Sequence, residues 1–108
     1  MPPIAYTVIA TLPDEPTASE YVQWLRDGHV QRVVKAGARD AAILRITDPV
    51  SPPQVESRYT FPDRQSFETY LTSTAPALRA EGLRKFPPSR GVRFERRIGE
   101  LDWEHTPA

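Results

Sequence analysis

Hydrophobic and polar residues alternate with a period of two in four stretches of the chain, and with a helical period in two others. The first alternating stretch covers residues 4–12, where Tyr6, Val8 and Ala10 share one face and Ala5, Thr7 and Ile9 the other. Both faces are largely uncharged, which suits a central strand. Residues 40–48 and 54–62 are rich in β-branched and aromatic residues, and the proline-dense segment Pro49-Val50-Ser51-Pro52-Pro53 separates them. This is the pattern of a β-hairpin with a loop longer than the tightest type. In its first strand Ala42, Leu44 and Ile46 oppose Ala41, Ile43, Arg45 and Thr47. In its second, Val55, Ser57, Tyr59 and Phe61 face one way, and Glu56, Arg58 and Thr60 the other. Residues 91–98 alternate again, with Val92, Phe94 and Ile98 opposite Arg93, Glu95 and Arg97, and with Arg96 as the exception on the apolar side.

The helical patterns lie between these strands. Residues 17–36 predict a first helix, because Val22, Leu25, His29 and Val33 recur at three- and four-residue spacing, flanked by Tyr21, Trp24 and Val30. Thr17 or Ser19 is the expected cap, with Glu20 completing a capping box from Thr17. Gly37 is placed to end the helix, with Lys35 in its last turn. The second helix starts after Asp63, with Ser66 in its first turn and Phe67, Tyr70, Leu71, Thr74 and Leu78 as its stripe. Pro76 lacks a backbone donor, so a break is expected near 73–75, with Pro76 in the first turn of the piece that follows. Pro87 and Pro88 stop that piece. The order β-α-β-β-α-β, under the chirality and connection rules, gives an α+β, ferredoxin-like sandwich. Its four-stranded antiparallel sheet carries both helices on one face, in spatial order 4-1-3-2. Residues 1–108 are expected to form a single domain.

Composition narrows the function classes. Apolar residues make up 39% and charged residues 26%, a balance suited to a soluble globular chain. The formal net charge is zero, which removes the bulk electrostatic case for nucleic acid or anionic membrane as a partner. The strand Val55–Phe61 also lacks the glycines of an RNA-recognition strand, so no nucleic acid is expected. With no cysteine there is no disulfide framework, thiolate metal site or cysteine nucleophile. No apolar run approaches the roughly 18–20 residues that span a bilayer, and the first residues lack the pattern of a signal peptide. The expectation is a cytoplasmic protein with no membrane partner. The tail after residue 98 is short, with Trp103 as the residue able to dock it.

If the apolar strand faces lie under the helices, the opposite sheet face carries Thr7, Glu56, Arg58, Thr60, Arg93, Glu95 and Arg97. Two readings are open: a solvated face, or one covered by the same face of a second subunit. Charge alternation by itself favours solvent, since obligate interfaces are more apolar.

The stretches Trp-Leu-Arg-Asp-Gly-His-Val (24–30), Ala-Ile-Leu-Arg-Ile-Thr-Asp-Pro (42–49), Val-Glu-Ser-Arg-Tyr-Thr-Phe-Pro (55–62) and Ala-Pro-Ala-Leu-Arg-Ala-Glu-Gly-Leu (75–83) resemble a family of small bacterial proteins known only as a domain of unknown function. The resemblance covers about residues 4–101. That group is similar to the dimeric α+β barrel superfamily, in which two ferredoxin-like subunits pack sheet to sheet. Antibiotic-biosynthesis-type cofactor-independent monooxygenases, haem-degrading enzymes, stress-response barrel proteins and ligand sensors belong to it. The resemblance implies a homodimer through the sheet face and a pocket between helices and sheet; it supplies no activity.

Within such a pocket His29, the only histidine away from the tail, is the candidate acid or base. The plainer alternative is a partly buried histidine bonded to a carbonyl or carboxylate. Tyr21, Trp24, Tyr59, Phe67 and Tyr70 are candidate pocket walls for a small apolar or aromatic ligand, or else ordinary core. Arg45 and Arg96 interrupt apolar strand faces, where they either bind a carboxylate or enolate or snorkel at a sheet edge. His29 and His105 have no spacing that makes a metal site, and no metal or cofactor is expected. Two functions follow: a non-catalytic small-molecule-binding or structural homodimer, or a cofactor-independent monooxygenase-like enzyme with His29 as its base.

Overall fold

The computed structural model describes residues 2–107. Its strands are β1 (Ile4–Thr11), β2 (Asp40–Arg45), β3 (Gln54–Phe61) and β4 (Arg93–Glu100). They form one antiparallel sheet in the order β2-β3-β1-β4, the ferredoxin-like arrangement. The central register sets Tyr6 of β1 between Tyr59 of β3 and Ile98 of β4, and Val8 between Ser57 and Arg96. Side chains alternate across a sheet, so all six of these residues face the helices.

The first helical region differs from the continuous helix expected over 17–36. Helix α1 (Glu15–Trp24) begins earlier, because Asp14 rather than Thr17 or Ser19 caps it: the Thr17 backbone N–H donates to Asp14 Oδ1 at 2.9 Å. Pro16 sits in the first turn, where its missing N–H costs nothing. A wide π turn (Leu25–His29) then joins α1 to a short helix α2 (Val30–Lys35). Asp27 and Gly28 leave helical angles there, and Gly28 takes φ +124°, which a side chain would oppose. Gly37, at φ +132°, ends α2 as expected.

The second region follows the sequence closely. Helix α3 (Arg64–Ser73) is capped by Asp63, which accepts the Ser66 N–H at 2.8 Å in a reciprocal capping box. It ends at Thr74, and helix α4 (Ala75–Lys85) starts with Pro76 in its first turn. A 3₁₀ turn (Pro88–Arg90) and Gly91 in the left-handed region lead into β4. Beyond β4, the Leu101 N–H donates to the Pro3 carbonyl, and Trp103 stays 76% exposed, stacked on His105.

The core is divided. One cluster gathers Ile4, Tyr6, Tyr59, Phe61, Phe67 and Tyr70 with parts of α2 and α4. The other gathers Ala10, Leu12, Tyr21, Leu25, Val55 and Phe86. On the far sheet face, Glu56–Arg58 and Glu95–Arg97 pair along their own strands at 3.0 Å. Thr7, Ile9 and Leu44 on this face are half-buried, although the helices lie on the other side. No helix among the described residues is long and apolar enough to cross a membrane.

Candidate functional site

A cavity lies at the seam of the two core clusters, between the sheet and the helices. About 40 Å³ of it is open to the centres of water-sized molecules, within about 470 Å³ of empty space once its open mouth is counted. Small residues create the gap. Ser57 is buried on β3 where its neighbours in the pattern are Val55, Tyr59 and Phe61. Gly82 takes up little space on α4 and lies against Trp24, with only 3.5 Å from a would-be Cβ to the indole. Large side chains on both sides cannot close over two such deficits without straining their rotamers.

All four tyrosines of the chain line this space: Tyr6, Tyr21, Tyr59 and Tyr70. Each comes from a different element, β1, α1, β3 and α3, so only the folded layers bring them together. Burial disfavours the phenolate and pushes Tyr21 and Tyr70 up, and Tyr59 up to about 12; all three stay neutral hydroxyls near neutral pH. Ser57 opposes the rise at Tyr59 without reaching hydrogen-bond geometry, and Tyr59 Oη is buried with no partner among the described residues. Tyr6 Oη accepts from Arg96 Nε at 3.1 Å and from Arg79 Nη2 at 3.3 Å.

The wide turn positions His29. Closing a turn from Leu25 to Val30 sets residues five apart one above the other, so the His29 ring stacks on Trp24 with centroids 4.2 Å apart. His29 Nδ1 is buried without a hydrogen-bond partner among the described residues. Burial, and then the nearby Arg32 guanidinium, lower its pKa from 6.5 to about 4, with Glu81 opposing; Arg32 and Glu81 form an ion pair beside it. His29 is therefore neutral near pH 7.

Of the residues singled out in the sequence, His29, Tyr21, Trp24, Tyr59 and Tyr70 meet at the cavity. Phe67 does not: it packs between Tyr6, Phe61 and Tyr70 inside the core. Arg45 does not either. It sits on the β2 edge and pairs with Glu15 at the start of α1, whereas Arg96 on the opposite edge reaches the cavity. Tyr6, Ser57, Arg79 and Gly82 were not anticipated. Ser57 breaking an apolar strand face, and Gly82 inside a helix, were the available signals. Among the described residues no carboxylate lines the cavity, and no group of three or more potential ligands gathers to hold a metal.

The model of the family described as "Domain of unknown function (DUF4286)" matches residues 4–100. No curated protein matches the chain in sequence. Solved structures share its fold at low identity. A dimeric ferredoxin-like protein from an uncultured marine organism aligns at TM-score 0.74 with 15% identity, over 97% of this chain and 100% of that one. SnoaB from Streptomyces nogalater, a cofactor-independent oxygenase, aligns at 0.70 with 12% identity, over 96% and 97%. A putative antibiotic biosynthesis monooxygenase from Bacillus cereus aligns at 0.68 with 10% identity, over 99% and 100%.

Proposed function

The chain belongs to the family of the domain of unknown function DUF4286, and from that footing we propose that it is a homodimeric, non-catalytic binder of a small apolar or aromatic molecule. The observation that carries this is the cavity at the core seam, with an unpaired hydroxyl, Tyr59 Oη, buried in its wall. An apolar pocket with a few converging polar groups is the usual form of a ligand site. A buried hydroxyl without a partner costs about 1–3 kcal/mol, and a ligand supplies the missing bond.

The dimer would form through the open sheet face; the marine protein that shares the fold is described as dimeric. A compact monomer of this mass exposes roughly 6,100 Å². This chain exposes 6742 Å² in a flattened shape of 39 × 33 × 21 Å. The excess reflects that flattened shape and the extended tail. Because the charges on that face already pair along their own strands, docking a second copy leaves few of them uncompensated. Sedimentation at micromolar concentration in high salt tests this. A species of about twice 12.2 kDa is expected; a monomer overturns the barrel. Single-ring aromatics should shift the Trp24 and His29 resonances, and shifts scattered over the surface would overturn the pocket.

A second reading, a cofactor-independent oxygenase, draws on the unpaired His29 Nδ1 and the shared fold with SnoaB. An electron-rich quinol-type substrate would lose a proton to His29 and supply the electrons itself. One atom of O₂ would enter carbon and the other leave as water. It ranks second because a base whose conjugate acid has a pKa of about 4 takes a phenolic proton poorly. Oxygen uptake with aromatic polyketides or quinols that His29→Ala abolishes would reverse the ranking.

A further inference from the structure

Resting on the pocket reading above, we propose that the mouth of the cavity is an anion subsite. There Arg79 and Arg96 take the carboxylate of a short or single-ring organic acid, whose apolar body enters between Tyr59, Tyr70 and Trp24. Two guanidinium groups, one from α4 and one from β4, converge on a single neutral acceptor, Tyr6 Oη. Neither forms an ion pair among the described residues, a condition shared with Arg26, Arg84 and Arg93, but of these only Arg79 and Arg96 line the cavity. Like charges brought to one oxygen repel, and nothing in the cavity wall neutralises them, since it contains no Asp or Glu.

The positive field points inward. Arg79 and Arg96 both act on the Tyr70 hydroxyl, where they oppose the effect of its burial. The remaining groups suit a carboxylate. Its two oxygens offer one acceptor to each arginine and leave lone pairs for the Tyr6 and Tyr59 hydroxyl hydrogens, neither of which has an acceptor among the described residues. A phenolate has a single oxygen and would compete with Tyr6 Oη for the same place. Size bounds the body of the acid. One water needs roughly 10–15 Å³ of such volume, so an interior of about 40 Å³ admits one ring or a short branched chain.

The test is calorimetric titration with benzoate and cyclohexanecarboxylate against their uncharged amides. Each acid is expected to bind at least about tenfold more tightly than its amide, the least that one charge-assisted hydrogen bond supplies. Arg79→Gln and Arg96→Gln should each cut that preference severalfold, weakening the acid more than its amide, which keeps only a neutral carbonyl acceptor for the guanidinium. Both side chains reach solvent, and a cooperative melting transition of each variant confirms that it folds. Tyr59→Phe should weaken the acids as well. Equal affinity for acid and amide, or indifference to both arginine variants, overturns the anion subsite and leaves the pocket standing. Binding of neither class overturns the subsite and the pocket reading beneath it.

Discussion

Replacing Tyr59 by phenylalanine should make the ligand-free protein more stable. Tyr59 is 2% exposed, its ring packs against Tyr6, and its hydroxyl has no hydrogen-bond partner among the described residues. Tyr59→Phe keeps the ring and removes only the stranded oxygen. The penalty for such a group is about 1–3 kcal/mol. The adjacent space is large enough to hold water, which recovers part of that penalty. A net gain of about 1 kcal/mol is expected, which raises the melting temperature by about 4–8 °C in a domain of this size. Thermal unfolding followed by circular dichroism measures it, at one fixed protein concentration because association also shifts the transition. Tyr6→Phe is the control. Its oxygen is shared by Arg79 and Arg96, so its loss should destabilise by about 1 kcal/mol. If Tyr59→Phe instead lowers stability by more than about 1 kcal/mol, the hydroxyl has a partner and the argument for an open polar position in the cavity fails.

His29 makes stability depend on pH. Its folded pKa, about 4, lies below the unfolded 6.5, so between these values the unfolded chain binds more protons and stability falls as the solution is acidified. The contribution is complete above pH 6.5, and about 1–2 kcal/mol of it should be lost between pH 7 and pH 5. Urea unfolding of the wild type and His29→Gln at the two pH values isolates it, and identical losses in both would refute the assignment. Gly82 lies within a helix with φ in the ordinary range, and a Cβ there would meet Trp24 at 3.5 Å, an ordinary contact. Gly82→Ala should therefore stabilise by about 0.5–1 kcal/mol while narrowing the cavity. Higher stability with weaker binding is the expected pair of results, and unchanged affinity would remove Gly82 from the pocket.

Local chemistry made most of the elements legible. Period-two alternation marked the four strands, and because the side-chain period is fixed it also sorted Tyr59 and Phe61 from Arg58 and Thr60. Asp63 with Ser66, Gly37, and the break before Pro76 act within a few residues of themselves, so they could be read without knowing the fold. The first helix was harder. Its apolar spacing continues across Gly28, and periodicity does not register a glycine that has left helical angles. Its start was misplaced because Thr17 and Ser19 were also plausible caps, and only the backbone path shows that Asp14 accepts the bond.

The cavity belonged to the tertiary structure. Sequence determined which face of its strand Tyr6, Ser57 or Arg96 would occupy, since that follows from spacing. What stands opposite each of them depends on register between strands far apart in the chain and on how the helices dock. Arg45 and Arg96 illustrate the difference: both break an apolar strand face near a sheet edge. The β4–β1 register puts Arg96 beside Val8, within reach of Tyr6, while β2 lies at the other edge and Arg45 meets Glu15. Alternation encodes the direction of a side chain; only the packing of one layer on another decides its neighbours.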